Sequence, residues 1–313
     1  MKWPWIILCL AVASNSSCKD PLPDKIMFGP NYDPYKVDTA LSYDPTPNLS
    51  GYVQLDEASG MVPMMSWSNG VWLINDSGDG PMLYAVNRKT GKTVCSLLIS
   101  SLNAVDWEDL SIHTDSSGDS WLYVGDIGDN QAQRTSVQVY RFKEPKLEEL
   151  DTLSGQQTWS PIQLSTWNIV YPGGSRDAEA LFVDPLTGQP WIITKRTSRA
   201  MVYSLPIISS NIGIDTAVFE GSLPFQLLTS ADSKIFNNGE CPILMRNYNA
   251  LWIWNRTESE SIPIALSRTP LVLPYSVVEP QGESICFLGN GDIAVVSERV
   301  DSTLPVIYTY RLK

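Results

Sequence analysis

Five short apolar runs in this chain each open on an acidic residue: Glu57, Glu108, Glu179, Asp232 and Glu283, separated by 51, 71, 53 and 51 residues. A second apolar run follows each and ends on polar or charged residues that begin 14 to 18 positions further on: Asn75-Asp76, Asp126, Lys195-Arg196, Arg246 and Glu298-Arg299. That interval is one hairpin long. If the hairpins radiate from a common axis, strand starts and strand ends share one face, and the carboxylates converge. Converging carboxylates repel unless a cation or a proton neutralises them. Ca²⁺, a hard ion that takes carboxylate oxygens, is the expected cofactor. The candidate metal ligands are Glu57, Glu108, Glu179, Asp232 and Glu283, with the shorter Asp232 reaching through water. The stretch Gly125-Asp126-Ile127-Gly128-Asp129-Asn130 adds Asp126 and Asp129 beside two glycines that let the backbone bend. An ion-paired rim using Arg196, Arg246 and Arg299, with Asx turns at the glycines, fits the same residues, and both readings stand at this point.

Basic residues fall on the same expected face. Lys195, Arg196 and Arg246 suit a phosphate or carboxylate group of a ligand. With Glu108 they form the candidate catalytic set of a metal-dependent hydrolase acting on an anionic, phosphoester-like substrate. His113 is the sole histidine and lies late in its strand, which argues against Ser-His-Asp and Cys-His catalysis. No P-loop, GxGxxG, HExxH or EF-hand spacing occurs.

The elements that would position these residues repeat. Each unit of about 40–50 residues has room for four short strands, which is the size of a propeller blade. The second strands read as Val71–Ile74, Trp121–Val124, Trp191–Thr194, Ile243–Met245 and Ile293–Val296. The expected fold is an all-β propeller, with five blades favoured and six the alternative. The longest unit carries a polar insertion at Lys146–Gln163, which is either a loop or part of a sixth blade. The last unit runs out after three strands, so a strand near Gly51–Leu55 is expected to close the ring.

The 313 residues hold 11 Trp and 13 Tyr, and the net charge is −12 with a pI near 4.5. Such a surface disfavours nucleic acid and anionic membranes. Residues 1–17 read as a secretory signal, with Lys2 before the apolar run Trp5–Ala13, too short to span a bilayer. In a bacterial setting Cys18 is an alternative lipid anchor. Residues 18–50 are Pro- and Asp-rich and read as an irregular arm, and residues 51–313 as one propeller domain. Outside the cell a disulfide is expected between Cys241 and Cys286 in neighbouring repeats, with Cys18–Cys95 a second pairing. Sequons begin at Asn15, Asn48, Asn75 and Asn255, of which Asn48 and Asn255 are the glycosylation candidates.

The segments Asp106–Leu110, Leu122–Asn130, Val139–Phe142, Asp177–Leu181, Thr229–Asp232 and Gly282–Ile285 resemble a family of secreted, mostly bacterial β-propeller proteins without an assigned activity. The acidic ring is more remotely similar to calcium-binding phytase-like and esterase-like propellers and to calcium-activated nucleotidases, whose motifs match only in acidic strand starts. The resemblance implies a propeller with a central Ca²⁺. The resemblance implies no substrate; the expected partner of a hydrolase is a small anionic ligand, and that of a non-catalytic binding or matrix protein is an extracellular glycan or protein.

Overall fold

The computed structural model describes residues 27–313 other than Ser77, Ser154 and Val278. The signal, Cys18 and Asn15 lie outside the described residues. Strand β1 (Asn48–Tyr52) comes first, and five sheets follow. Blade 1 is β2 (Ala58–Pro63), β3 (Gly70–Asn75), β4 (Met82–Asn87) and β5 (Thr93–Ile99). Blade 2 is β6 (Trp107–Thr114), β7 (Ser120–Asp126), β8 (Val137–Lys143) and, after β9 (Gln156–Trp159), β10 (Ser165–Val170). Blade 3 is β11 (Ala178–Val183), β12 (Pro190–Thr194), β13 (Ala200–Ser204) and, after β14 (Asp215–Thr216), β15 (Val218–Leu223). Blade 4 is β16 (Leu228–Ser233), β17 (Ile243–Asn247), β18 (Leu251–Trp254) and β19 (Leu271–Val272), with the short helix α1 (Ile262–Leu266) before β19. Blade 5 is β20 (Gly282–Phe287), β21 (Ile293–Ser297) and β22 (Val306–Tyr310), completed by β1. The innermost strands touch in a closed cycle, β2 to β6 to β11 to β16 to β20 and back to β2.

The ring has five blades. The insertion at Lys146–Gln163 makes no sixth, because its strand β9 pairs in parallel with β5 at the outer edge of blade 1. In the same way β14 adds to β10 of blade 2. The closing strand is Asn48–Tyr52, a little earlier than the sequence suggests, and runs antiparallel to β22. Residues 27–47 lie along the outer edges of the next blades, with Phe28 bridging Gly221 and Thr39 bridging Val272. Sheet edges that would otherwise offer free backbone groups are thereby covered.

The core is divided into five apolar clusters, one between each pair of adjacent blades. Trp72, Leu110 and Phe142 lie between blades 1 and 2, for example, and Trp191, Trp252 and Trp254 between blades 3 and 4. The alternation of the strands explains this, since each buries both faces between neighbours. Innermost strands cannot pair through their backbones, so buried side chains supply the missing bonds. Asp109, fully buried, accepts from the backbone N–H groups of Leu110, Leu181 and Ala231 and from the Ser230 hydroxyl. It joins blades 2, 3 and 4 near the axis. The Ser111 hydroxyl accepts from Val183 N–H, and Thr229 donates to the Gly282 carbonyl.

Three cysteines, Cys95, Cys241 and Cys286, are buried free thiols. The expected Cys241–Cys286 disulfide is therefore corrected: neighbouring repeats do not bring the two sulfurs together, and Cys286 instead lies in the cluster between blades 5 and 1. Asn48 and Asn255 are exposed, whereas Asn75 is half-buried and donates to Asp79. No helix among the described residues is long and apolar enough to cross a membrane.

Candidate metal centre

Each innermost strand carries a bulge near its start. The pairing skips one residue between Trp107 and Asp109, Ala178 and Ala180, Leu228 and Ser230, and Gly282 and Ser284. In β2 it skips Ser59 and Gly60. A bulge turns a side chain out of the strand's alternation. In blades 2, 3 and 5 the residue so turned is Glu108, Glu179 and Glu283, each about 4% exposed or less. In blades 1 and 4 the equivalent residues are Ser59 and Thr229.

This corrects two of the expected ligands. Asp232 lies three residues past the bulge, at the opposite end of the channel, and its oxygens accept from Ser233 and Phe287 N–H. It is a stitch between blades 4 and 5. Glu57 lies two residues before its bulge, in the place held by Asp106 and Asp177 in blades 2 and 3, and is exposed at the rim, its carbonyl accepting from Asp76 N–H.

The acidic end holds two groups of three carboxylates that share Glu108. Asp76, Asp106 and Glu108 form one, and Glu108, Asp177 and Glu179 the other, each with ligand oxygens within 4.8 Å of one another. Oxygens around a single Ca²⁺, at 2.3–2.6 Å from the ion, lie no more than about 5 Å apart. Asp106, Asp177 and Asp76 belong to these groups but were not among the expected ligands, Asp76 being read only as a strand end. The signal for two of them was present as a repeated Asp-x-Glu, in Asp106-Trp107-Glu108 and Asp177-Ala178-Glu179.

The Gly125–Asn130 segment frames this site. Asp126 accepts from Val105 and Asp106 N–H and pairs with Arg134 at 2.8 Å. Asp129 accepts from Gln133 and Arg134 N–H, and its own N–H reaches Asp177. Asp126 and Asp129 are thus occupied in holding the loop, and neither belongs to a three-carboxylate group. Gly128 lies directly on the site: a Cβ there would fall 2.2 Å from Glu108 Oε1 and 2.4 Å from Asp106 Oδ2. Only glycine leaves those oxygens room.

The expected basic residues separate. Lys195, 4% exposed, forms an ion pair with Glu179 and sits 4.9 Å from the centre of the Tyr248 ring. Arg196 pairs with Asp177 at 2.8 Å, bonds Asn130 Oδ1 and keeps a side chain 45% exposed. Arg246 is not at the mouth. It is fully buried, paired with Glu279 at 3.0 Å and donating to the Ser284 carbonyl, in space left by the absent side chain of Gly282. Its expected role toward a substrate is corrected to one of joining blades 4 and 5.

Burial, reinforced by Glu179, Asp76 and Asp106, pushes the Glu108 carboxyl far above the carboxylate range. Burial raises Glu179, Glu283 and Glu298 to about 8. For Lys195 burial acts to lower the pKa, but the Glu179 and Glu283 carboxylates outweigh it and keep the ammonium charged. No ion pair and no hydrogen-bond donor reaches the Glu108 carboxylate among the described residues, although it is nine-tenths buried. A buried anion in that setting needs a proton or a cation, and the oxygen-only donor set fits a hard divalent ion.

No family model matches the chain, and no curated protein matches it. Among solved structures, a luciferin-regenerating enzyme is similar at 10% identity and a TM-score of 0.43, over 84% of this chain and 95% of that one. Glutaminyl cyclase of Myxococcus xanthus is similar at 11% identity and a TM-score of 0.43, over 85% and 94%. The calcium-binding protein regucalcin of Agrobacterium tumefaciens is similar at 11% identity and a TM-score of 0.46, over 88% and 95%. None of these activities transfers to this chain at such identities.

Proposed function

We propose that the protein binds a divalent cation, Ca²⁺ first, at the acidic end of its channel and uses it to hydrolyse an anionic, phosphoester-like substrate. The observation that carries the reading is the buried Glu108 carboxylate, which meets no donor among the described residues and is flanked by Asp76 and Asp106. Those three residues would hold the ion, which when bound would polarise a phosphoryl oxygen and favour a nucleophilic water. Arg196, half-exposed and paired with Asp177 of the neighbouring group, would orient the anionic group. Residues 1–17 support placement outside the cell, where Ca²⁺ is abundant.

A second reading is a non-catalytic module that binds an extracellular glycan or protein. It is favoured by the fact that, of Lys195, Arg196 and Arg246, only Arg196 has a substantially exposed side chain. One set of assays separates them. Phosphatase, phosphodiesterase and esterase turnover is measured with Ca²⁺, with chelator, and in Glu108→Gln. Turnover that requires Ca²⁺ and Glu108 is expected of the hydrolase. Calcium-dependent thermal stabilisation without turnover selects the binding module, and no calcium effect of either kind removes both.

A further inference from the structure

We infer that the loop between β13 and β14, residues 205–214, docks the protein peripherally on a lipid surface with zwitterionic headgroups. The inference stands apart from the cation reading above.

Surface loops are ordinarily built of small and polar residues. This one carries no charged and no aromatic residue, and its isoleucines face water. Ile207, Ile208, Ile212 and Ile214 are 50%, 83%, 100% and 72% exposed. The polar groups of the loop are meanwhile spent on the protein itself. Asp215, buried just after the loop, accepts from the Ser210 N–H and hydroxyl. The Ser209 hydroxyl donates to Asn211 Oδ1, which also accepts from Thr166 N–H. From β10, the Asn168 amide donates to the Asn211 and Gly213 carbonyls, and the Trp167 indole donates to the Pro206 carbonyl. β14 then pairs with β10. The loop is therefore fixed by bonds that use none of its isoleucine side chains. Moving it into an apolar medium strips water from groups that gain by losing it and leaves those internal bonds made. Its prior fixation lowers the entropy lost on docking.

Size and charge favour a lipid over a protein as the occupant. A stable protein interface takes about 20–30 residues a side and centres on Trp, Tyr or Arg. This loop offers a few isoleucines and none of those anchors. A second copy of the chain would bring a further net charge of −12 and be repelled. A bilayer accepts a small, uncharged, aliphatic protrusion without a matching surface. The same negative charge opposes approach to anionic lipid, which leaves zwitterionic headgroups as the class.

Flotation of the intact protein with phosphatidylcholine vesicles tests this, in chelator so that no cation bridges protein and lipid. The native protein is expected to float with the vesicles. Ile208→Ser combined with Ile212→Ser is expected to lower the partition coefficient at least about tenfold. Ile212→Asp, at a fully exposed position, is expected to do the same and serves should the double variant fail to fold. Leu41→Ser, equally solvent-facing but outside the loop, is expected to change nothing. Replacing a third of the lipid with phosphatidylserine is expected to weaken binding. A native protein that stays with the aqueous phase, or folded loop variants that float as well as it does, would overturn the inference. So would tighter binding to the phosphatidylserine vesicles. A dimer in sedimentation equilibrium that the loop variants dissolve would assign the isoleucines to self-association and overturn it equally.

Discussion

The two ends of the channel are built from the same five innermost strands, yet they treat buried carboxylates in opposite ways. At the far end, Asp232 is satisfied by two backbone N–H groups and lines a small cavity of about 260 Å³ with Pro63, Ile112, His113 and Phe287. At the near end, Glu108 is as buried, and among the described residues no ion pair and no hydrogen-bond donor reaches its carboxylate. The difference comes from the bulge. Residues on the regular part of a strand point between blades, where neighbouring N–H groups need acceptors. A residue at the bulge is turned out of that alternation, toward the axis and away from those donors. Burial by itself therefore says little about the role of an acidic residue in this fold; the supply of donors decides it.

The contrast can be broken most severely at Asp109, the strongest of the satisfied carboxylates. Asp109→Ala leaves the N–H groups of Leu181 and Ala231 buried without an acceptor and should cost about 3 kcal/mol or more. Urea denaturation measures it, and a loss below about 1 kcal/mol would contradict the stitching role. Next is the unsatisfied end. Ca²⁺ at a hundredfold excess over its Kd should stabilise the protein by about 2.7 kcal/mol. That gain should vanish in Glu108→Gln and persist in Asp232→Asn; equal gains in both variants would show that the ion binds elsewhere.

A graded effect of pH sharpens the same comparison. Outside the Lys195–Glu179 ion pair, burial raises Glu283 and Glu298 to about 8, and Glu144 and Asp232 to about 7, from ordinary values of 4.5 for Glu and 3.8 for Asp. Between those limits the folded chain keeps protons that the unfolded chain has released. Without Ca²⁺, stability should therefore fall as pH rises from about 4 to about 8 and level off above. Bound Ca²⁺ replaces protons at the near end only, so the fall should become shallower without disappearing. Thermal melts from pH 5 to 8.5, with Ca²⁺ and with chelator, check this; a rise in apo stability across the window would refute it. The smallest effect is expected for Asp232→Asn. The amide oxygen can still accept at least one of the two bonds, and the loss should be about 1 kcal/mol by denaturant titration, with Ca²⁺ affinity unchanged.

Much of the fold was legible because propeller strands are short, alternate in polarity and recur at a near-constant interval. The second strand of every blade was placed within a residue or two, as with Val71–Ile74 inside Gly70–Asn75. The missing fourth strand of the last unit pointed to closure by the N-terminus, and β1 supplies it. The site was less legible. Glu108, Glu179 and Glu283, the acids turned out at the bulges of blades 2, 3 and 5, were conspicuous in the sequence as acidic residues opening apolar runs. In blades 1 and 4 the equivalent residue is a hydroxyl, Ser59 or Thr229, so the nearest acids, Glu57 and Asp232, were taken instead. Arg246 looked like a mouth residue because its partner, Glu279, lies 33 residues away with no periodic signal linking them.

What the sequence determined by itself was the count of repeats, the identity of the strands, the closing of the ring and the acidic character of one end, since all of these follow from local periodicity and composition. Tertiary structure alone decided which carboxylates are satisfied by neighbouring blades and which are left facing one another. Those donors come from backbone N–H groups far along the chain, and no local pattern shows where a bulge will turn one glutamate away from them.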